Sequence, residues 1–285
     1  MEMRQHNITC ANPHGTHRIT YTEWGDADNK NVLVCVHGLT RNGRDFDFIA
    51  HALSKHYRII CPDIVGRGRS DWLEQAEDYN YNTYVADMLT LLNQLGLERV
   101  DWVGTSMGGI IGMLIAAQQP QMIRRLILND IGAVISQQAL QRIGGYLQTE
   151  QVSFDSLQEV EVYLRQVHAP FGQLSDEQWQ HLTTHSHFEK EGKYYLAYDA
   201  KIAQIFRDGV GHDIELWDIW KAVRASVMVI HGLDSDILTQ ETLDKMKDII
   251  PDLTVVHCVR VGHAPALMTK EQIDSVARWL LDIKQ

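Results

Sequence analysis

The 285-residue sequence is poor in cysteine and has no paired-cysteine motif. Its four cysteines are widely separated, and no C-x-x-C pair occurs among Cys10, Cys35, Cys61 and Cys258. This spacing argues against a zinc ribbon and against a C-x-x-C redox motif. Three of the cysteines fall in apolar runs, where a free thiol behaves as a small apolar side chain. We therefore expect a reducing compartment.

Long apolar runs and an excess of basic charge are also missing. No stretch of about 18 apolar residues is present, and the segment MEMRQHNITC lacks the apolar core of a signal peptide. We expect a cytoplasmic protein without a membrane partner. The chain has 26 Lys and Arg against 37 Asp and Glu, for a formal net charge of −11. Nucleic-acid binding needs a basic face, so this balance argues against such a partner.

The chain has no internal repeat, and its main pattern is an alternation of short apolar runs with helical spacing. This alternation is typical of the α/β class, with a parallel sheet and crossover helices. Strands are predicted for HRITYTEWG from His17, NVLVCVHG from Asn31, YRIICPD from Tyr57, VDWVGTS from Val100, RRLILNDIG from Arg124, SVMVIHG from Ser226 and LTVVHCVRVGH from Leu253. Helices are predicted for FDFIAHALSK from Phe46, NTYVADMLTLLNQLGL from Asn82, MGGIIGMLIAAQQP from Met107 and the closing KEQIDSVARWLLDI.

The alternation is interrupted in the second half of the chain. Residues 133–222 show a mostly helical pattern with many aromatics and no clear buried strand. We predict a core domain made of residues 1–132 and 223–285, and a helical cap made of residues 133–222. Open α/β sheets bind ligands beyond the carboxyl ends of their strands, and the insertion begins at such an end. We therefore expect the cap to cover a pocket.

The motif with the clearest chemistry is Gly104-Thr105-Ser106-Met107-Gly108, which matches G-x-S-x-G between a predicted strand and a predicted helix. A nucleophile must stand out from a tight turn, and the small flanking residues let the backbone bend sharply. The N-terminus of the following helix favours developing negative charge. Ser106 is therefore the candidate nucleophile.

Acyl transfer also needs donors for an oxyanion. One donor is predicted to be the backbone N–H of Met107. The other is expected in the turn His37-Gly38-Leu39, which ends an earlier strand, and the Leu39 N–H is the best candidate.

A serine nucleophile needs a base, and the base needs a carboxylate partner. His263 lies in V-G-H-A-P just after the last predicted strand, so we expect it at the same sheet edge as Ser106. The loop HGLDSDILT from His231 offers Asp234 and Asp236 as the acid, and Asp130, at the end of RRLILND, is a third candidate.

Together these motifs resemble the α/β-hydrolase fold superfamily, and the resemblance covers nearly the whole chain. It also includes P-D-I-V-G-R-G-R-S from Pro62 to Ser70. The resemblance implies a mostly parallel eight-stranded sheet flanked by helices, with a helical cap. Members often have an acid loop G-x-x-S-D-x-L, echoed here from Gly232 to Leu238, which favours Asp236. Many members place a proline where Thr239 stands, so Asp234 stays open.

The residues and the resemblance predict a serine hydrolase that cleaves a carboxylic ester, thioester or lactone of a small, largely apolar substrate through an acyl-enzyme. No cofactor or metal is expected. A carbon–carbon bond hydrolase and a non-catalytic ligand receptor on the same fold stay open as alternatives, as does a homodimer.

Several other motifs are interpreted as structural. The run Gly66-Arg67-Gly68-Arg69-Ser70 lacks the P-loop ending and is expected to form a turn near the pocket. The spacing of His181, His185 and His187 is expected to reflect cap packing or a solvated cluster rather than zinc binding. Arg41, Asn42 and Arg44 either meet an acidic substrate group or form a solvated loop.

Overall fold

The computed structural model describes residues 2–147, 152–207 and 211–282. Up to residue 129 the chain forms six strands and three helices. These are β1 (Arg4–Asn12), β2 (Gly15–Trp24), β3 (Val32–Val36), α1 (Asp47–Leu53), β4 (Arg58–Pro62), α2 (Tyr81–Gln94), β5 (Val100–Thr105), α3 (Met107–Gln118) and β6 (Ile123–Asn129).

The described part of the following segment contains five α-helices and five short strands: β7 (Val134–Ile135), α4 (Gln137–Tyr146), β8 (Ser153–Phe154), α5 (Leu157–Val167), α6 (Asp176–His185), β9 (His187–Lys190), β10 (Lys193–Leu196), α7 (Gln204–Arg207), β11 (Ile214–Glu215) and α8 (Trp217–Ala222). The chain then returns to the strand–helix alternation with β12 (Ser226–Gly232), α9 (Gln240–Ile249), β13 (Thr254–Cys258) and α10 (Lys270–Leu280).

The main sheet has eight strands in the order β1-β2-β4-β3-β5-β6-β12-β13. Strand β2 pairs antiparallel with both β1 and β4, and the other pairs are parallel. The predicted fold class, a mostly parallel eight-stranded sheet flanked by helices, is confirmed. After β3 the chain runs to β4 on one side and later to β5 on the other. Such a switch in strand order opens a crevice at the carboxyl ends of the strands.

The inner strands are apolar on both faces because helices cover both sides of the sheet. In β3, Val34 and Val36 pack in one apolar cluster, while Leu33 and Cys35 pack in the other. All four side chains are fully buried. Successive side chains of a strand point to opposite faces, so a strand buried on both sides has no polar alternation. This burial fixes the strands whose carboxyl ends carry the site.

Two parts of the secondary structure differ from the sequence prediction. Strand β1 was not predicted, although it pairs with β2 along its whole length, from Arg4 opposite Glu23 to Asn12 opposite Gly15. The segment expected to be mostly helical also holds two small antiparallel sheets, β8-β10-β9 and β7-β11. Their strands have two to four residues, too few to show a two-residue period. The division into core and cap stays a prediction.

Two absences hold for the described ranges. No helix there combines the length and apolar character needed to cross a membrane. All four cysteines are free thiols, and three of them are buried.

Candidate active site

Ser106 stands on a sharp turn between β5 and α3. Its backbone has φ 51° and ψ −113°, a left-handed conformation that side-chain-bearing residues seldom adopt. Its N–H donates to the Asn129 carbonyl at 3.1 Å, which anchors the turn to β6. A Cβ atom on Gly108 would lie 2.1 Å from the Val36 carbonyl oxygen, so only glycine fits there. The turn therefore holds the serine out from the sheet at the N-terminus of α3.

His263 reaches Ser106 from the loop after β13. The Ser106 hydroxyl lies 2.8 Å from His263 Nε2. The Asn129 amide secures this loop, because its Nδ2 donates to the Pro265 carbonyl at 2.8 Å and to Thr105 Oγ1 at 3.0 Å. The structure thus brings together the two residues that the sequence assigned as nucleophile and base.

The carboxylate beside His263 belongs to Asp130. Its Oδ2 lies 2.8 Å from His263 Nδ1. Asp130 follows β6, is fully buried and has a positive φ of 55°. Its Oδ1 accepts from the Gly232 N–H at 2.8 Å, and its Oδ2 also accepts from the Ser235 hydroxyl at 2.5 Å. A buried carboxylate needs such partners, and three donors converge on this one.

The prediction that Asp236 partners His263 is wrong in this geometry. The Asp236 side chain is half-exposed and forms an ion pair with Arg142. Ser235 turns the loop, because its Oγ accepts from the backbone N–H groups of Ile237 and Leu238 at 3.2 Å each. That turn points Ser235 toward the sheet edge and Asp236 toward solvent, and Asp234 is exposed as well. The third candidate, Asp130, therefore occupies the position beside the imidazole.

The turn after β3 lies beside Ser106. A Cβ atom on Gly38 would come within 3.8 Å of the Ser106 Cβ. Leu39 and Met107 both line the cavity at this point. Within the described residues, the N–H of neither donates to another protein group. Both predicted oxyanion donors therefore stay available at the cavity.

His37 holds this turn in place. Its Nδ1 donates to the Gly38 carbonyl at 2.7 Å, and its Nε2 accepts from the Ile64 N–H at 2.9 Å. Burial, supported by the nearby Arg67 charge, lowers the pKa of His37 to about 3. The ring is therefore neutral at pH 7, and an unprotonated Nε2 is what the bond from Ile64 requires.

A cavity of about 320 Å³ opens beside Ser106 and His263. Its wall is mainly apolar, and residues of segment 133–222 contribute much of it, including Ile135, Leu140, Ile143, Val167, Phe171 and Ile214. Two arginines, Arg41 and Arg142, also line it, and none of the described lining residues carries a carboxylate. The cavity therefore combines a mainly apolar wall with two cationic side chains, each of which pairs with a carboxylate outside the lining.

The three polar residues after His37-Gly38-Leu39 have different surroundings. Arg41 is buried and donates to both carboxylate oxygens of Asp45, and also to the Ser186 hydroxyl at 2.9 Å. Asn42 donates to the His185 carbonyl at 2.7 Å. Arg44 pairs with Asp47 outside the cavity. Their main role in the structure is to attach this loop to α6.

Two groups of possible metal ligands occur among the described residues: Cys10, His17 and Asp87, and Asp47, His181 and His185. In the first, His17 Nε2 lies 2.9 Å from each Asp87 oxygen, a hydrogen-bonding contact with no space for an ion between them. In the second, the carboxylate of Asp47 is taken by Arg44. Neither group lines the cavity.

The sheet order, the serine turn and the histidine–carboxylate pair define the class of an α/β-fold hydrolase. The model of the α/β hydrolase fold family matches residues 31–267 of the chain. The protein therefore belongs to that family. It is 42% identical over 275 residues to a 3-hydroxybutyrate-oligomer hydrolase from Cupriavidus necator, covering 93% of this chain and 94% of the relative.

Solved structures agree with this assignment. A crystal structure of a Rickettsia typhi protein matches with a TM-score of 0.92 and 37% identity, covering 100% of both chains. An α/β hydrolase from Novosphingobium aromaticivorans matches with a TM-score of 0.86 and 31% identity, covering 98% of this chain and 99% of the other. The resemblance noted from the sequence motifs is thus confirmed.

Proposed function

We propose that the protein is a serine esterase that hydrolyses short ester-linked oligomers of a hydroxy acid. The observation that carries this proposal is the continuous hydrogen-bonded series from Ser106 through His263 to Asp130, with 2.8 Å at each step. A hydroxyl is a weak nucleophile, and an imidazole held by a carboxylate activates it. The series opens directly onto the cavity.

The proposed reaction begins with attack of Ser106 Oγ on the ester carbonyl carbon. The hydroxyl proton passes to His263 Nε2, while Nδ1–H stays bonded to Asp130. The carbonyl oxygen becomes an oxyanion, which the N–H groups of Leu39 and Met107 stabilise. His263 then returns the proton to the leaving alcohol oxygen as the C–O bond breaks, and an acyl-enzyme is formed.

Hydrolysis of the acyl-enzyme repeats these steps with water. His263 removes a proton from the water as its oxygen attacks the acyl carbon. The second tetrahedral intermediate collapses, the bond to Ser106 breaks, and the proton returns to Oγ. Acid product and free enzyme result, and no step draws on a group outside the protein and its two substrates.

The substrate class rests on the cavity and on the similar protein from Cupriavidus necator, which is named for 3-hydroxybutyrate oligomers. Such an oligomer has short apolar units, ester links and one terminal carboxylate. The largely apolar wall suits the units, and Arg41 and Arg142 supply the cationic charges in the lining. Both arginines are paired with carboxylates, Arg41 with Asp45 and Arg142 with Asp236. The solvent-exposed pair of Arg142 is the one in which a substrate carboxylate can take the place of Asp236.

We also propose that residues 133–222 act as a cap. Ile135 and Phe171 from this segment lie in the same cavity wall as Ser106 from the core. A cap in this position excludes water from the acyl-enzyme and limits the length of the bound oligomer.

The proposal is tested by measuring acid release from 3-hydroxybutyrate dimers and trimers, and p-nitrophenol release from p-nitrophenyl butyrate. We expect Ser106→Ala to lower turnover by about 10⁶, since it removes the nucleophile. Ser275→Ala is the matched control, because Ser275 lies on α10 and, among the described residues, its hydroxyl donates to the Glu271 carbonyl alone. Equal rates for wild type and Ser106→Ala would contradict the proposed mechanism.

The same experiment separates the two alternatives. A non-catalytic receptor would leave all these esters intact and would not react with a fluorophosphonate probe. A carbon–carbon bond hydrolase would label at Ser106 but would prefer a dienol-type diketone to the hydroxybutyrate dimer by a large factor in kcat/KM.

A further inference from the structure

Arg67 lies completely buried behind the two proposed oxyanion donors. Its Nε donates to the Leu39 carbonyl at 2.8 Å, and its Nη2 donates to Met107 Sδ at 3.6 Å. One guanidinium therefore contacts both residues that are proposed to supply the oxyanion donors. Leu39 lies in the turn after β3 and Met107 is the first residue of α3, so Arg67 links two separate elements.

The other contacts of Arg67 hold its guanidinium group in one orientation. Its Nη1 donates to the Val65 carbonyl at 2.8 Å and to the Tyr84 hydroxyl at 3.0 Å. The guanidinium carbon lies 4.9 Å from the centre of the Tyr84 ring and 5.8 Å from that of Tyr79. Such faces attract a cation. The planar fork thus has a single orientation.

The charge of Arg67 has no direct counterion in the part of the chain that the structure describes. Among the described residues, no carboxylate oxygen lies within 4.0 Å of its side-chain nitrogens. Buried arginines are normally paired with a carboxylate, because an unpaired charge is costly away from water. A carboxylate here would cancel the positive potential beside the oxyanion. The buried charge is compensated by neutral acceptors and aromatic faces instead.

We propose that Arg67 is a positioning residue for the oxyanion hole, and that its uncancelled charge adds to the stabilisation of the tetrahedral intermediate. It acts through Leu39 and Met107 and does not touch the substrate. By holding the Leu39 carbonyl it restricts the rotation of Leu39, whose N–H is one proposed donor, and by contacting the Met107 side chain it restricts the residue that carries the other. Preorganised donors of this kind are worth most in a site that excludes water.

This inference rests on the proposed serine mechanism and makes a separate prediction. Arg67→Met keeps an unbranched side chain as far as about the position of Nε and removes the charge and the donors. We expect kcat for p-nitrophenyl butyrate to fall about 10- to 100-fold, somewhat less than for loss of an oxyanion donor itself. KM should change less than about threefold, because the substrate's ground-state contacts stay intact. Arg67→Lys, which keeps the charge, should recover part of the loss.

A tetrahedral inhibitor supplies the readout that a purely structural role would not change. The inhibition constant of 1-butaneboronic acid, which forms a tetrahedral adduct with a serine, should rise in Arg67→Met by the same factor as kcat/KM falls. The matched control is Arg124→Met. Arg124 pairs with Asp101 near the amino-terminal ends of the strands, away from the site at their carboxyl ends. That variant should lose thermal stability while keeping kcat and boronate affinity.

The outcomes are distinct. A kcat in folded Arg67→Met within twofold of wild type, or unchanged boronate affinity, overturns the inference while leaving the esterase proposal intact. A kcat loss that Arg124→Met shares at a similar loss of Tm also overturns it. If Arg67→Met does not fold, Arg67→Lys decides, and wild-type kcat in that variant is the negative result. Full activity in Ser106→Ala instead removes the proposed function itself.

Discussion

Asp130 and His263 are 133 residues apart in the chain, and their side chains meet at 2.8 Å. Asp130 follows β6 and His263 follows β13, with β12 between these two strands. The carboxylate therefore reaches the imidazole from two strands away, beneath the loop after β12. This arrangement keeps the order serine, aspartate, histidine along the chain while moving the acid to an earlier strand.

The first prediction concerns this carboxylate. Asp130→Asn should lower kcat for p-nitrophenyl butyrate by about 10³- to 10⁴-fold, because an amide no longer holds the reactive imidazole tautomer. Asp236→Asn is the matched control and should stay within about threefold, since it loses only a half-exposed ion pair with Arg142. Steady-state kinetics of the two variants decides the matter. A severe defect in Asp236→Asn with a mild one in Asp130→Asn would restore the sequence-based assignment.

The second prediction compares two glycines. Gly108→Ala should destabilise the protein by about 3 kcal/mol or prevent folding, because its Cβ would lie 2.1 Å from the Val36 carbonyl oxygen. Gly145→Ala, on the exposed side of α4, meets no atom within 4 Å and should stabilise by about 0.5–1 kcal/mol. Urea denaturation measures both changes. A stable, active Gly108→Ala protein would show that the serine turn is less tightly packed than described.

The third prediction is a pH dependence that His37 contributes. Burial lowers its folded pKa from 6.5 to about 3, so unfolding takes up a proton below pH 6.5. The stabilisation from neutral His37 is complete above pH 6.5 and is lost as the pH falls toward about 3. At most it amounts to about 1.4 kcal/mol per pH unit.

His37→Asn tests this contribution. The variant should be less stable at pH 7 by about 1–3 kcal/mol, because the Ile64 N–H loses its acceptor. The difference in free energy of unfolding between wild type and His37→Asn should become smaller as the pH falls. Urea unfolding at pH 7, 6, 5 and 4 measures this difference. A difference that does not change with pH would contradict the proposed contribution of His37.

The fourth prediction addresses the acidic end of the substrate. Arg142 is about two-fifths exposed and its ion pair with Asp236 lies in contact with solvent, so a substrate carboxylate can replace Asp236 at little cost. Arg142→Gln should raise KM for a 3-hydroxybutyrate dimer about 5- to 20-fold, in line with one lost charge-assisted hydrogen bond. The methyl ester of the same dimer lacks the carboxylate and serves as control. An equal KM change for both compounds would place the acidic end elsewhere.

The turn that carries Ser106 could be predicted from local sequence. A buried run, a glycine on each side of Thr105-Ser106-Met107 and a helical pattern after it predict the turn, because the backbone requirement is local. His263 could be located as well, since it follows a recognisable last strand. Strands of two residues such as β7 and β11 could not be found, because they depend on pairing with each other and carry no period of their own.

The carboxylate beside His263 and the residues that hold the site together could not be predicted from local sequence. Asp130 and Asp236 both lie in loops that follow a strand, and the loop motif from Gly232 to Leu238 favoured Asp236, whereas the structure places Asp130 beside the imidazole. Asn129 and Ser235 were missed for the same reason, as each acts on a loop distant in the chain. The only sequence signal for Asn129 is an amide at the end of an apolar strand, where a buried polar group needs partners.

The sequence by itself determined seven of the eight strands of the main sheet, and it located Ser106 and His263 at their carboxyl ends, because apolar periodicity and turn chemistry act between near neighbours. Tertiary structure alone decided which carboxylate meets the imidazole, which arginine stands behind the proposed oxyanion donors and what lines the cavity. These features join residues that are more than a hundred positions apart or on separate elements. Only the packing of the strands in their final order brings such groups within hydrogen-bonding distance.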